Sequence, residues 1–403
     1  MGQMDSDEVY LLSSHGNDGE VKEFLALAAK YEKKGKMKLA ATAYDRAYGL
    51  DPENKDIQIS RACILNQLAV REHGITFRFI PAGSFLMGSD SGEPDEQPVH
   101  PVKLDGYWLS EVPMSWNKYC ELSDLGKAPC IRDNEWASFF SFQTSTEAPW
   151  TRDSEEDPKK LRAKRLSLVN ENKIRFHYCE DGAERSMFGN ADDLGNYYMP
   201  WGNWHVIKKS PRLSNSPERD GIESRSYSQK PMVSVSLETA EELCRELSNS
   251  RVTYRLPTEA EWEKGARGGL INRKYPWGNE PPNAFRCDFN RLEWFSILPS
   301  KAFPPNDYGL YAMSGGVWEW TSDWYDAGYY RTSPRENPAG PEAGVERVLR
   351  GGSWADVAGA VTVSFRMTRS LERGPSGIWG HHWCPNIGFR ICREETSSDS
   401  VSL

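Results

Sequence analysis

The 403-residue sequence lacks several features that mark large functional classes of protein. No apolar run approaches the ~20 residues that a membrane-spanning helix needs. A basic excess is also absent, because 49 Lys and Arg residues stand against 58 Asp and Glu residues and leave a net charge of −9. This balance argues against a general nucleic-acid or anionic-membrane surface. We therefore expect no nucleic-acid partner and no membrane partner. The length of 403 residues predicts about two or three globular domains.

A secretory signal is missing as well. The first residues, MGQMDSDEVYLL, contain no charged segment followed by an apolar segment. Gly2 to Ser6 fit the short pattern for N-myristoylation, which arises more often by chance than by function. The sequence therefore predicts a cytoplasmic location.

Paired cysteines are the third absence. The eight cysteines are spread singly, and no two of them form a C-x-x-C pair: Cys63, Cys120, Cys130, Cys179, Cys244, Cys287, Cys384 and Cys392. Neither a zinc knuckle nor a redox motif is indicated, and reduced thiols are expected in a cytoplasmic protein.

Residues 21–54 have the spacing of one tetratricopeptide repeat, a hairpin of two helices with Gly35 at the turn. Its signature positions hold Phe24, Leu27, Ala28, Tyr31, Ala40, Tyr44, Ala47 and Pro52. Apolar residues between Asn54 and Arg71 predict a third, capping helix. One repeat does not bury its apolar face alone, so segment 21–72 is expected to pack on the rest of the chain or to dock a partner or a second copy. A structural cap and a peptide-binding groove both stay open.

A short helix is predicted after Arg255, in the stretch RLPTEAEWEKGARGG. Thr258 and Glu261 have the spacing of a capping box at a helix start, and the pair Gly268-Gly269 is a typical helix end. Trp262 shares a helical face with Ala266, whereas Glu259 and Glu263 are expected to face water.

This stretch, together with seven others in the same order, resembles the formylglycine-generating-enzyme (sulfatase-modifying-factor) family, a variant of the C-type-lectin fold. The others are FRFIPAGSFLMGS (77–89), QPVHPVKLDGYWLSEV (97–112), PMVSVSLETAEELCREL (231–247), YPWGNE (275–280), NDYGLYAMSGGVWEWTSDWY (306–325), RVLRGGSW (347–354) and NIGFR (386–390). The resemblance implies an α+β fold, in which a formylglycine-generating-enzyme-like (C-type-lectin-like) domain over 75–394 follows an N-terminal all-α, tetratricopeptide-like segment.

The sequence divides into four further segments beside the motifs of the family. Residues 1–20 are expected to be a polar tail, 21–72 the helical segment, and 395–403 a disordered tail. Residues 122–228 carry no family motif and are predicted to be a large insertion. Its aromatic loop at 196–205 is expected either to pack on the core or to wall a ligand cleft.

The resemblance also shows which chemistry is missing. Family enzymes that make formylglycine hold copper(I) with two closely spaced cysteines after the GGS-aromatic motif and use oxygen to oxidise a substrate cysteine. Here those positions fall near Val361 and near Arg366 or Met367, and neither is cysteine, while Cys384 is out of register. A second branch uses iron held by H-x-x-x-H-x-E, a spacing that this sequence lacks. Copper is therefore not expected, and the chain is interpreted as a pseudoenzyme.

A calcium loop of the family is partly kept. Ala312 stands where the family has Asn or Asp, while the main-chain oxygens of Gly315 and Val317 and the carboxylate of Glu319 remain. Loss of one side-chain ligand weakens a site for a hard cation. Alternatively, Glu319 accepts hydrogen bonds from the buried turn around Trp318 and Trp320. A weakened calcium site at Gly315, Val317 and Glu319 is the metal site that the motif leaves open.

The segment between GGSW and GFR is predicted to bind a protein or peptide ligand. In lectin-like proteins diversified by retroelements, ligand-binding residues vary in the corresponding segment. Arginine and aromatic side chains dominate recognition surfaces. The ligand-binding residues predicted here are Trp354, Arg366, Arg369, Trp379, His381, His382 and Trp383.

Two other functions remain open. The first is a divergent copper- or iron-dependent oxidase that uses His381, His382 or Cys384, although neighbouring residues on an extended segment point to opposite sides. The second is a structural subunit that assembles through the helical segment.

Overall fold

A computed structural model describes residues 18–122, 229–232, 235, 237–290, 298–354, 356–370 and 387–396. The insertion predicted at 122–228 lies outside these ranges apart from Leu122, and so does the segment 371–386. No helix within the described ranges has the length and apolar character needed to cross a membrane.

Three helices begin the described chain: α1 (Asp18–Lys33), α2 (Met37–Leu50) and α3 (Lys55–Gln67). Gly35 makes the turn between α1 and α2 with φ +70°, a conformation that suits glycine. Asn54 caps α3, because its side-chain oxygen accepts hydrogen bonds from the backbone N–H groups of Asp56 and Ile57. Helices thus lie where they were predicted, and α1 begins within the expected polar tail. The tetratricopeptide assignment itself stays a prediction.

The remaining helices belong to the second part of the chain: α4 (Trp116–Leu122), α5 (Leu237–Leu247) and α6 (Glu259–Arg267). The described strands are β1 (Val70–Glu72), β2 (Ile75–Ile80), β3 (Gly83–Met87), β4 (His100–Leu104), β5 (Tyr107–Ser110), β6 (Val252–Arg255), β7 (Trp318–Trp324), β8 (Glu346–Arg350), β9 (Met367–Ser370), β10 (Ile387–Phe389) and β11 (Cys392–Glu395).

These strands form three sheets. A five-stranded sheet has the order β1-β2-β5-β11-β6, a four-stranded sheet the order β10-β7-β8-β9, and β3 pairs with β4. All pairs are antiparallel except β10 with β7. The late strand β11 lies between β5 and β6, where Cys392 faces Leu109 and Arg255. Since β11 runs to Glu395, the chain is ordered into the first residue that was expected in the disordered tail.

Strands β4 and β5 are separated by only two residues, yet they lie in different sheets. The chain turns at Asp105-Gly106, so β4 pairs with β3 and β5 pairs with β2. A side chain at position 106 would place its Cβ 2.8 Å from a ring carbon of Phe79, so the turn requires glycine.

Helix α6 lies in the centre of the domain. Its capping box is present, since Thr258 Oγ1 accepts from the N–H of Glu261 and the Glu261 carboxylate accepts from the N–H of Thr258. Gly268 ends the helix with φ +63°. The expectation that Glu259 and Glu263 face water is wrong, because they are only 2 % and 0 % exposed. The helix is enclosed on every side, and arginines from other elements supply the opposite charges.

The helical segment packs on the family-like domain through Arg61 of α3. Its guanidinium donates to Asp45 Oδ1 on α2 and to the main-chain oxygens of Gly268 and Asp307 in the domain, at 2.6–2.9 Å. The same group lies 4.3 Å from the ring centroid of Tyr48 and 4.6 Å from that of Tyr308. The helical segment therefore covers one face of the domain, and the buried, hydrogen-bonded guanidinium of Arg61 lies at this contact.

Replacing Arg61 with Lys should loosen this packing. An ammonium cannot reproduce the planar fork that reaches Asp45, Gly268 and Asp307 together, so we expect a loss of about 3 kcal/mol in the free energy of unfolding. Urea unfolding followed by circular dichroism measures it. The exposed Arg251 provides the matched control, since R251K should leave the curve unchanged. Equal stability of R61K and the wild type would contradict this account of the interface.

Candidate functional site

The GGSW turn, which precedes the predicted ligand-binding segment, packs closely against Val361. Gly351 and Gly352 have φ +102° and +73°, and a Cβ on Gly352 would lie 2.5 Å from Val361 Cγ1. Asp356 then accepts hydrogen bonds from the Ser353 N–H at 3.0 Å and from Trp318 Nε1 at 2.7 Å. The Ser353 hydroxyl donates to the same carboxylate, so it is committed to the turn.

The positions expected to correspond to the copper ligands hold packed or paired side chains. Val361 is fully buried and packs with Tyr275 and Cys287. Met367 is half-buried on β9. The sequence from Ser353 to Trp383 contains no cysteine, so the missing thiolate pair does not depend on the register chosen. Within the described ranges, no group of three or more His, Cys, Asp or Glu side chains is placed to hold a metal ion.

Arg366 is a structural cation. It is 1 % exposed, and its guanidinium donates to both carboxylate oxygens of Glu259, at 2.8 and 3.0 Å. Its remaining nitrogen donates to the main-chain oxygens of Asp95 and Asp326. Trp354 is 0 % exposed, and its main-chain N–H donates to Gly316 O. Trp354 and Arg366, which were predicted to bind a ligand, are therefore both enclosed within the domain.

Arg369 differs from these two residues. It lies on β9, opposite Arg347 of β8, and it is half-buried. Its Nε is buried and has no hydrogen-bond partner among the residues that the structure describes. The other predicted ligand-binding residues, Trp379, His381, His382 and Trp383, lie outside the described residues together with Cys384.

The carboxylates of α6 are balanced by buried arginines. Burial by itself would raise the pKa of Glu263, but the nearby Arg267 and Arg350 hold that pKa below its usual range. Asp323 accepts a hydrogen bond from the Glu259 N–H at 2.8 Å. Its burial, followed by the charge of Glu259, raises the pKa of Asp323 to about 8. Asp323 is therefore mainly protonated at neutral pH, which avoids a further buried negative charge.

Glu319, the side chain on which the calcium prediction depends, accepts hydrogen bonds from Arg390 and Trp262. Glu319 is fully buried, and Arg390 donates to its two oxygens at 2.5 and 2.8 Å. Trp262 Nε1 donates to the same carboxylate at 2.6 Å. The donors thus differ from the expected turn around Trp318 and Trp320. Gly315 and Gly316 bind main chain, with N–H groups that donate to Gly351 O and Asp288 O. Calcium at Gly315, Val317 and Glu319 stays a prediction.

A cavity of about 410 Å³ lies elsewhere, between the helical segment and the loops that follow α6. Tyr48 and Glu53 line one side, and Trp277, Phe303 and Asp307 line the other. Sequence reasoning missed this cavity. The proline-rich stretch FPPN at 303–306 was a local signal, but the facing residues are more than 200 positions away in the chain.

Replacing Glu319 with Gln should strongly destabilise the protein. The substitution leaves the buried Arg390 guanidinium without its counter-charge, which costs about 3–5 kcal/mol. Urea unfolding of E319Q and of the wild type, each with and without the chelator EGTA, measures the effect. The exposed pair of Lys103 and Glu336 gives the control, and E336Q should change stability by about 1 kcal/mol or less. An equally small effect of E319Q would contradict the structural role, and destabilisation of the wild type by EGTA would show bound calcium.

Comparison with known proteins agrees with this architecture. The model of the sulfatase-modifying factor enzyme 1-like domain family matches residues 69–395. The formylglycine-generating enzyme of Streptomyces coelicolor is 31 % identical over 331 residues, which cover 78 % of this chain and 88 % of that protein. The formylglycine-generating enzyme of Mus musculus is 42 % identical over 291 residues, which cover 68 % of this chain and 65 % of that protein.

A third relative is named as inactive. The inactive C-alpha-formylglycine-generating enzyme 2 of Mus musculus is 35 % identical over 198 residues, which cover 46 % of this chain and 56 % of that protein. The chain thus spans most of the Streptomyces protein and less than two thirds of each mouse protein. Because the family model covers most of the chain and includes α6, the GGSW turn and β11, this protein belongs to the sulfatase-modifying factor enzyme 1-like family.

Proposed function

We propose that this chain is a non-catalytic member of its family and that it binds a protein or peptide partner. The observation that carries the proposal is the absence of cysteine from Ser353 to Trp383, combined with the enclosed positions of Val361 and Arg366. Without a thiolate pair the segment offers no soft ligand set for copper(I). The mouse relative that is named inactive is a family precedent for such a role.

Arg369 and the segment that follows β9 are the proposed binding site. β9 is the last strand of its sheet in the order β10-β7-β8-β9, so its outer edge is unpaired within the described residues. The buried Arg369 Nε lacks an acceptor, and a ligand carboxylate or main-chain oxygen would supply one. Trp379, His381, His382 and Trp383 follow in the sequence, and their aromatic rings suit the capture of a peptide.

The catalytic part of the proposal is tested by the family reaction itself. The purified protein is given copper(I), air and a cysteine peptide that the Streptomyces coelicolor enzyme converts, with that enzyme as the positive control. We expect no stoichiometric copper by elemental analysis and no formylglycine by mass spectrometry, because the thiolate pair is absent.

Conversion of the peptide would overturn the proposal. Copper or iron that binds stoichiometrically and is lost in a His381→Ala, His382→Ala double variant would favour the oxidase alternative instead. Metal that the double variant keeps would point to ligands other than this pair of histidines.

The binding part is tested with peptides selected on the wild-type protein from a random library. Replacing Arg369 with Gln, or Trp379 and Trp383 together with Ala, should weaken these peptides at least about tenfold, which is about 1.4 kcal/mol. Isothermal titration calorimetry measures the affinity, and circular dichroism confirms the fold. Phe285 is 86 % exposed and lies outside the proposed site, so F285A is the matched control and should bind like the wild type. Full affinity of the variants would exclude this site.

A further inference from the structure

The cavity between the helical segment and the family domain has a size suited to a ligand. Its volume of about 410 Å³ lies in the range of pockets that bind small molecules or a few residues of a peptide. The helical segment contributes Tyr48, Pro52, Glu53 and Gln58 to the wall. The cavity therefore depends on the packing of the helical segment against the domain.

The domain side of the cavity contains a cluster of prolines and aromatic rings. Pro276, Pro304 and Pro305 line it together with Trp277 and Phe303. The ring of Trp277 stacks on Tyr275, with centroids 5.1 Å apart and planes 2° apart. Trp277 Nε1 also donates to Glu280 O at 3.0 Å, which fixes the indole. A wall held in this way loses little conformational entropy when a ligand binds.

The charged groups of the wall favour a cation. Three acidic residues, Glu53, Asp288 and Asp307, and one basic residue, Arg286, are among the lining residues. Asp288 Oδ2 accepts a hydrogen bond from the Leu298 N–H at 3.0 Å, and Asp307 Oδ2 accepts one from the Tyr48 hydroxyl. Arg286 is ion-paired with Glu280, so its positive charge is already balanced. The excess of carboxylates over guanidinium groups gives the cavity a negative potential, and Arg286 lies 5.8 Å from the ring centroid of Trp277, so a cation already lies at this ring.

A buried polar group in the wall also has no hydrogen-bond partner in the part of the chain that the structure describes. Ser300 is 5 % exposed, and its buried Oγ makes no hydrogen bond there. Ala312, on the same wall, has φ +54°, a left-handed conformation that is unusual for alanine. Buried polar atoms are nearly always hydrogen-bonded, and strained backbone is concentrated at ligand sites. Both features are independent of the charge, and both lie at this cavity.

We propose that the cavity binds an organic cation, an ammonium or guanidinium group carried on an apolar body. The apolar body packs against Trp277 and Phe303, and the cation lies near Glu53 and Asp307. Two sources share this chemistry, the basic side chain of a peptide and a free amine. The inference goes beyond the proposed function and uses none of the residues of the Arg369 site, so each proposal can fail without the other.

Tryptamine and its neutral analogue tryptophol separate charge from shape, because both carry the same indole. Isothermal titration calorimetry with the full chain should show saturable 1:1 binding of tryptamine and binding of tryptophol that is at least about tenfold weaker. E53Q should weaken tryptamine about fivefold and leave tryptophol unchanged, because Glu53 is an exposed carboxylate with a partly screened charge. W277A should weaken both compounds.

The exposed Glu342 carries the same charge and does not line the cavity, so E342Q is the matched control and should bind tryptamine like the wild type. A second arm compares acetyl-Pro-Lys-Pro-amide with the same peptide containing norleucine in place of lysine. Tighter binding of the lysine peptide than of tryptamine assigns the site to a basic side chain, and the reverse assigns it to a free amine. Equal affinity of charged and neutral probes, an equal effect of E342Q and E53Q, or no saturable binding of either cation would overturn the proposal.

Discussion

The pairing of buried arginines with buried carboxylates is the constraint on which the domain depends. Glu263 of α6 is paired with Arg350, which lies on β8 of the four-stranded sheet. Glu259 of α6 is paired with Arg366, which lies in the loop that precedes β9. A lone charge at any of these positions would carry the full cost of its desolvation, so each element must hold its place for the others to be stable. The helix and this sheet are therefore fixed relative to one another by charge as well as by apolar packing.

The same constraint holds the described residues that follow the GGSW turn. Arg366 is held at Glu259, Val361 fills a packed position, and the hydroxyl of Ser353 is committed to Asp356. These side chains satisfy one another within the domain. The stability of this part of the domain therefore depends on pairs of side chains that lie far apart in the sequence.

The helical segment gives this chain a feature that its family domain does not provide alone. Through Arg61 it packs on the loops after α6, where the cation lies between the rings of Tyr48 and Tyr308. This packing buries the apolar face that a single helical hairpin would otherwise leave exposed to water. It also builds one wall of the cavity, so a structural role and a binding role are compatible in the same segment.

The sequence by itself determined the features that arise within a few residues. The capping box of Thr258 and Glu261, the end of α6 at Gly268, the three N-terminal helices and the absence of a cysteine pair could all be read locally. The family followed from the order of its motifs. Only the tertiary structure decided that Glu259 is buried, that Arg366 is a structural cation and that a cavity lies beside the helical segment. The physical reason is that burial and charge pairing depend on partners about a hundred or more positions away, and local periodicity carries no information about them.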